Sequence, residues 1–453
     1  MKIPTLEKEL GIEIYATKSL GIGGIVRHFL EDFVVEEVLV DGSKAEASIV
    51  EAQEPVGRGR YLICVLVKQN WDTLLAVRRI ARQLGISHKR IRIAGMKDTK
   101  ALTAQHISLQ GVAPERVSQA KIKDITLHPL RFSDRRIYSQ LLLGNQFQVV
   151  VRAISHSSSV VEKRVKNVQN ELASLGGVPN FFGHQRFGTI RPITHSVGRF
   201  LAKGDLKKAT FTFLAQPSVH EHPESREARE QLRDTQDFEE ALRCFPRHLR
   251  YERFMLGHLA KQPRDFVGAF RELPLNLRKL FVHAYESFLF NKFLSERIRR
   301  GVSLDEAQIG DYVVKLDDHG LPTTEFMQVT ASSLQTVKNA LNEGKMRVAI
   351  PLVGVKQPPS QGMQGEIEQE ILETENVTPQ NFHISFMPEV SASGMLRPIL
   401  APATNLSVEE ASRDSANPSK RKTRLGFTLH RGSYATVLLR EFMKPRNLIK
   451  AGF

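Results

Sequence analysis

One carboxylate, Asp98, stands in the segment 94–105, Ala-Gly-Met-Lys-Asp-Thr-Lys-Ala-Leu-Thr-Ala-Gln, directly after the apolar and cationic stretch Arg90-Ile91-Arg92-Ile93. Lys97 and Lys100 flank it, and nearby positive charge favours the ionised form of a carboxylate. A positioned carboxylate anion serves as a nucleophile or as a general base. The competing reading is structural, because an Asp in such a place also caps a turn or the element that follows it.

A second segment carries different chemistry. Residues 178–188, Val-Pro-Asn-Phe-Phe-Gly-His-Gln-Arg-Phe-Gly, combine three Phe with two Gly, Arg186 and the side-chain amides of Asn180 and Gln185. Glycines let the backbone approach a ligand closely, amides hydrogen-bond the edge of a base, and an aromatic face stacked on a base contributes ~1–3 kcal/mol. An aromatic core turn has the same composition. His220-Glu221-His222 lacks the i, i+4 spacing of a helical metal site and a recognisable third ligand. Gly21 to Gly24 lacks both the G-x-G-x-x-G spacing and the P-loop Lys, so neither a metal nor a nucleotide cofactor is expected. Arg131, Arg135 and Arg136 near Asp134 read either as phosphate contacts or as an exposed strand edge.

The elements that must hold these residues follow from hydropathy patterning. Residues 61–67, Tyr-Leu-Ile-Cys-Val-Leu-Val, form a continuous apolar run suited to a strand buried on both faces. Asn70 and Asp72 offer N-caps for a helix in which Leu74, Val77, Ile80, Ala81 and Leu84 recur at helical spacing, with Gly85 as its stop. Arg78, Arg79 and Arg82 take the remaining face, as a solvated surface unless that helix borders the site. Residues 146–152 read as a strand and 160–175 as a helix ending at Gly176-Gly177. From Asp205 the texture becomes polar and helical over His220 to Leu242, with helices expected at 265–272 and 276–299. In the last of these, Leu277, Leu280, Phe281, Ala284, Phe288, Leu289 and Leu294 form a stripe broken by Lys292. Gln357 to Gln369 and Ser412 to Arg424 read as linkers or tips, the second as a hairpin tip whose cations, Lys420 to Lys422, face solvent or phosphate. Alternating strands and helices indicate an α+β fold, and the length of 453 residues implies more than one core.

Composition narrows the partners. A formal charge of +15 favours a polyanion over an acidic small molecule. Cys64 and Cys244 lie far apart without C-x-x-C spacing, which supports neither a disulfide framework nor a zinc finger. No apolar run approaches the ~20 residues that span a bilayer, and the first residues have no long apolar core. No membrane association is expected, and a reducing cytoplasm is the expected home.

Taken with further stretches, the two segments resemble the TruD family of pseudouridine synthases. Gly21 to Arg27 followed by Glu31-Asp32-Phe33-Val34-Val35-Glu36-Glu37 is similar to that family's first strand. Leu143 to Phe147, ending at Arg152, is similar to its Gly-Asn-x-Phe strand. The stretch His283 to Arg297, containing Tyr285 to Asn291, and Gly432-Ser433-Tyr434-Ala435-Thr436 with Leu439-Arg440-Glu441, match two further motifs. The resemblance implies the pseudouridine synthase fold, a mixed and largely antiparallel sheet with flanking helices. It also implies an inserted α/β domain at about 210–392, with catalytic parts at 1–209 and 393–453 and the strand around Phe427 returning to the first sheet. The implied activity is cofactor-free isomerisation of a uridine in transfer RNA, at uridine-13 of the D arm. By position Asp98 is then the catalytic aspartate, Arg27 its ion-pair partner, Asn180 the amide that orients it and Phe182 the stacking platform. Lys97, Gln185 and Arg186 are expected to contact substrate. An RNA-binding factor without catalysis would need the basic surface but no pocket aspartate. An RNA methyltransferase would need a Gly-rich cofactor loop after a strand, and none stands out.

Overall fold

The computed structural model describes residues 2–48 and 54–453, which divide into two compact units: those within 17–178 with 401–453, and 2–16 with 179–400.

The first unit is built on a nine-stranded mixed sheet among the described residues. Its strands from the first part of the chain are β1 (Phe33–Leu39), β2 (Tyr61–Gln69), β3 (Ile91–Ile93), β4 (Leu102–Gln110), β5 (Ile125–Ser133) and β6 (Leu142–Ile154). Strand Ala403–Val408 lies at one edge, followed by Arg421–His430, β6, β1, β4, β2 and β5, with β3 also on β4 and Ser412–Arg413 also on Arg421–His430. β1 and β4 run parallel, Val34 opposite Leu102, while the other described pairings are antiparallel. The unbroken apolar run of β2 is explained by burial on both faces. Leu62, Cys64 and Leu66 pack with Ala76, Val77 and Ile80 of helix Thr73–Gln83, whereas Ile63 packs with Leu39, Ala94 and Leu142 on the other side.

Helix Thr73–Gln83 begins where Asp72 accepts a hydrogen bond from the Leu75 amide, and Gly85 takes a left-handed φ of 61° beyond its end. The expected phase holds at Val77, Ile80, Ala81 and Leu84, all buried, and departs only at Leu74. Thr73, Ala76, Val77, Ile80 and Ala81 are buried, while Leu74 is 51% exposed. At 3.6 residues per turn Leu74 falls at the edge of the inward arc and joins the outer face. The helix expected at 160–175 spans Ser158–Ser174. It is followed by Gly177 at φ 150°, where a Cβ would meet the Ala401 carbonyl oxygen at 2.5 Å.

The C-terminal strand returns to the first sheet as expected. Arg421–His430 pairs antiparallel with β6, Phe427 opposite Phe147 with their rings stacked at 5.2 Å. The segment 412–424 is a hairpin tied down at its base, because Asp414 accepts from the Arg152 guanidinium at 2.9 Å and the Ala153 amide at 3.0 Å.

The second unit carries a four-stranded antiparallel sheet in the order Met395–Pro398, Met346–Leu352, Tyr312–Leu316, Pro322–Gln328. The long helix Leu275–Arg299 packs on Thr194–Ala202 and on the sheet. The main segment of this unit runs from Pro179 to Leu400, with the residues before Thr17 joined to it. Packing of Thr194–Ala202 on the long helix, and pairing of Met395–Pro398 with Met346–Leu352, draw those flanks into it. The polar stretch 220–242 is two helices, Pro223–Thr235 and Phe238–Cys244, separated by Gln236 at φ 53°. Residues 357–369 are not a linker throughout, since a helix runs Gly362–Glu375. Its polarity is misleading because Gln364 and Glu368 are buried, with Gln364 accepting from Arg297 at 3.2 Å and donating to Glu368 at 3.0 Å. No helix among the described residues is long and apolar enough to cross a membrane.

Candidate active site

The Asp98 loop joins β3 to β4, which pair antiparallel with Ile91 opposite Leu109. Its backbone is fixed at successive points. Gln105 donates its amide to the Gly95 carbonyl at 3.1 Å. The Thr73 hydroxyl, at the first turn of its helix, accepts from the Lys97 amide at 3.1 Å and donates to the Lys97 carbonyl at 3.3 Å. The Lys68 ammonium donates to the carbonyls of Trp71 and Asp98, both at 2.8 Å. A loop held this way does not have to order itself when it acts.

Lys97 and Asp98, neighbours in the loop, face opposite ways. Lys97 turns inward and pairs with Glu37 at 2.6 Å, while the second Glu37 oxygen accepts from the His106 amide at 2.9 Å. Lys97 was expected to contact substrate and to support Asp98 from beside it. Its side chain is instead 2% exposed and committed to Glu37. Lys100 is exposed.

Asp98 turns outward, its side chain 34% exposed, and its Oδ1 accepts from Nη2 of Arg27 at 3.1 Å. The Arg27 guanidinium lies 4.0 Å from the centroid of the Phe33 ring and also donates to the Gly452 carbonyl at 3.2 Å. Its backbone takes a left-handed φ of 55°, a conformation that a non-glycine residue holds only when its surroundings impose it. Asp32, next to Phe33, accepts from Nε of Arg152 at 2.8 Å, and Arg152 in turn reaches Asp414. The Glu31-Asp32-Phe33 run therefore anchors the strand start and supplies the ring beneath Arg27.

Lys68 escaped the sequence reading. It ends an apolar strand run, and the available signal was a charge on a strand buried on both faces, which requires partners. Burial lowers its pKa to about 8, against the raising influence of Asp98 and Asp72.

In the second unit, Asn180 and Phe182 are brought together by Arg397. Its Nη2 donates to Asn180 Oδ1 at 2.7 Å and its Nε to the Asn180 carbonyl at 3.1 Å. The same guanidinium lies over the Phe182 ring, 4.0 Å from the centroid. Asn180 donates its amide to the Pro398 carbonyl at 2.9 Å. Asn291, buried in the long helix, accepts from the Phe182 amide at 2.8 Å and donates to the Phe182 carbonyl at 3.0 Å. Phe290 meets the Phe182 ring edge-on at 5.5 Å, and the ring is 7% exposed. Arg186 donates to Ser287 Oγ at 3.2 Å, and Gln185 is exposed. Arg397 and Asn291 were missed as positioning groups. Asn291 was visible in the Tyr285 to Asn291 motif, whereas nothing around Arg397 in sequence marks it. Glu221, considered above as a ligand beside two His, is paired with Arg229 at 3.0 Å.

A family model for tRNA pseudouridine synthase D (TruD) matches residues 9–442. The Methanosarcina barkeri protein named "Probable tRNA pseudouridine synthase D" is 39% identical over 448 residues, 98% of each chain. One of the same name from Methanopyrus kandleri is 39% identical over 388 residues, 85% of this chain and 86% of its own. Among solved structures, the crystal structure titled "Putative tRNA pseudouridine synthase D (TruD) from Methanosarcina mazei" superposes with a TM-score of 0.84 at 38% identity, covering 98% of this chain and 99% of its own.

Proposed function

The chain belongs to the tRNA pseudouridine synthase D (TruD) family, whose reaction is the isomerisation of uridine in tRNA, and from that premise we propose that it acts on uridine-13 of the D arm with Asp98 as the reacting carboxylate. The observation that carries this reading is the Arg27–Asp98 pair at 3.1 Å on an outward-facing, backbone-clamped loop. The cytoplasm is proposed as its compartment.

The target nucleotide must leave its stack, which costs a few kcal/mol. Phosphate contacts and ring stacking offset that cost. Phe182 supplies the aromatic face for the uracil, and Gln185 and Arg186 contact the RNA. Arg397 lies over the Phe182 ring and holds its orientation. Asp98 then either attacks the nucleotide or removes a sugar proton to release a glycal. In both routes the bond from the sugar to uracil nitrogen breaks, the ring turns, and a bond to carbon forms. The proton lost from that carbon is balanced by one gained at the freed nitrogen. Phe182 has no titratable proton, so the general base for this last step is another group or water. No atoms are gained or lost overall.

Incubation with uridine-labelled tRNA and no added cofactor, followed by digestion and mapping, is expected to yield the carbon-linked isomer at position 13. Its absence would return the protein to the class of RNA-binding factors, and its appearance elsewhere would remove the site assignment. Replacing Arg27 with Gln is expected to slow single-turnover isomerisation about 10- to 100-fold, roughly 1.4–2.7 kcal/mol of barrier. The tRNA affinity should change little, and an unaltered rate would leave Arg27 without a role in the chemistry.

A further inference from the structure

We propose that the outer face of helix Thr73–Gln83 is a docking surface for the phosphate backbone of the RNA beside the target nucleotide. This rests on the tRNA reading above and extends it to a surface that the reaction itself does not require.

Three independent features converge on this face. The first is position. Thr73 opens the helix and binds both backbone groups of Lys97, the residue before Asp98, and Lys68 ties the Trp71 carbonyl to that of Asp98. The first turn of the helix is thereby joined to the candidate catalytic loop.

The second is geometry. Thr73, Ala76, Val77, Ile80 and Ala81 are buried, while Leu74, Leu75, Arg78, Arg79 and Arg82 are exposed. The exposed set follows i, i+4 rows, so it forms one continuous strip along the helix. Its order is apolar first and cationic after. Leu74 and Leu75 lie in the helix's first turn, which Thr73 joins to the loop, and Met96 of that loop is 54% exposed. The arginines lie beyond. Apolar side chains beside an extruded base and cations farther along match the chemistry of a nucleic acid, whose bases are apolar-faced and whose phosphates are anionic.

The third is charge. The helix sequence, Thr-Leu-Leu-Ala-Val-Arg-Arg-Ile-Ala-Arg-Gln, contains no carboxylate. The N-capping Asp72 uses Oδ1 on the Leu75 amide. Among the described residues no ion pair engages Arg78, Arg79 or Arg82, although the chain pairs many of its other arginines. From Arg78 to Arg82 the helix advances about 6 Å, close to the spacing of successive phosphates along an extended strand. On a protein of charge +15 the unneutralised strip fits RNA.

The test compares the full-length protein with its R78Q/R79Q/R82Q variant, using tRNA affinity measured across a salt series. These surface changes leave the buried face intact, and the thermal transition should confirm an unaltered fold. Each lost phosphate contact lowers the salt slope by about 0.9–1, so the triple variant should show a slope shallower by roughly 2–3. Its tRNA affinity should fall at least tenfold. Isomerisation at saturating tRNA should remain within about twofold, so that KM moves and kcat does not. Equal affinity and equal slope in the two proteins would overturn the proposal, as would a fall in kcat with KM unchanged. A wild-type protein that made no pseudouridine, while the variant still lost affinity, would defeat the proposed reaction and leave the docking surface standing.

Discussion

Replacing Asp98 with Asn is expected to reduce single-turnover pseudouridine formation by about 10⁴-fold or more, a barrier increase of roughly 5 kcal/mol, with tRNA affinity changed less than about threefold. The substitution keeps size and most hydrogen-bonding capacity but removes the anion, and both proposed routes need that anion as nucleophile or base. Structural damage does not account for such a loss. The loop's position depends on Lys68 and Thr73 holding backbone groups and on Lys97 holding Glu37, and none of these involves the Asp98 carboxylate. The Arg27 guanidinium keeps Phe33 and the Gly452 carbonyl as neighbours when Asp98 is gone. Affinity persists because phosphate contacts dominate RNA binding. The measurement is product yield from pre-bound, labelled tRNA against time, alongside equilibrium binding. Product formed within tenfold of the wild-type rate would remove Asp98 from the chemistry and with it the proposed mechanism.

That Asp98 could be singled out at all reflects how local its signals are. A carboxylate among lysines between an apolar strand and a second strand is legible from neighbours within a dozen residues. The strand 61–67 and the helix after it were legible for the same reason, since periodicity and an N-cap are short-range features. What the sequence concealed was direction and long-range partnership. Lys97 looked like a cation beside Asp98, yet the loop turns it inward to Glu37, sixty residues earlier in the chain. Leu74 looked like core because it is apolar and well spaced, yet it sits at the edge of the buried arc and is 51% exposed. Gln364 and Glu368 looked like linker residues because polar side chains usually face water, but here they are buried and bonded to each other beside Arg297. Arg397 binds Asn180 from more than two hundred positions away, and no neighbour in sequence announces it. The family resemblance supplied Arg27 and Phe182, whose proposed roles depend on such distant contacts and which spacing alone would not have isolated.

The inward turn of Lys97 sets up the second large effect. Lys97→Met is expected to destabilise the protein by about 3–5 kcal/mol, because it leaves the Glu37 carboxylate, wholly buried, without its cation. Glu37→Leu should cost a similar amount by stranding the Lys97 ammonium. The double variant should be less damaging than either single change, since two apolar side chains of comparable volume leave no buried charge uncompensated. The pH dependence carries an independent signature. Burial opposes ionisation of Glu37, but hydrogen bonding from His106 and the charge of Lys97 outweigh it and hold the carboxyl below its ordinary value. A carboxyl lowered on folding contributes stability above its unfolded value, and that contribution disappears as pH falls through the lowered folded value. Acid should therefore weaken the wild type more steeply than the double variant, narrowing the difference between them. Denaturant unfolding across a pH series measures all of this. Single variants costing under about 1 kcal/mol, or a double variant as damaged as the sum of the two, would mean that the pair is not what anchors the loop. If the anchoring holds, Lys97→Met also lowers the single-turnover rate under conditions where the protein remains folded. The ammonium it removes fixes the residue directly before Asp98, and a reacting carboxylate displaced by about 1 Å loses on the order of 10²-fold in rate.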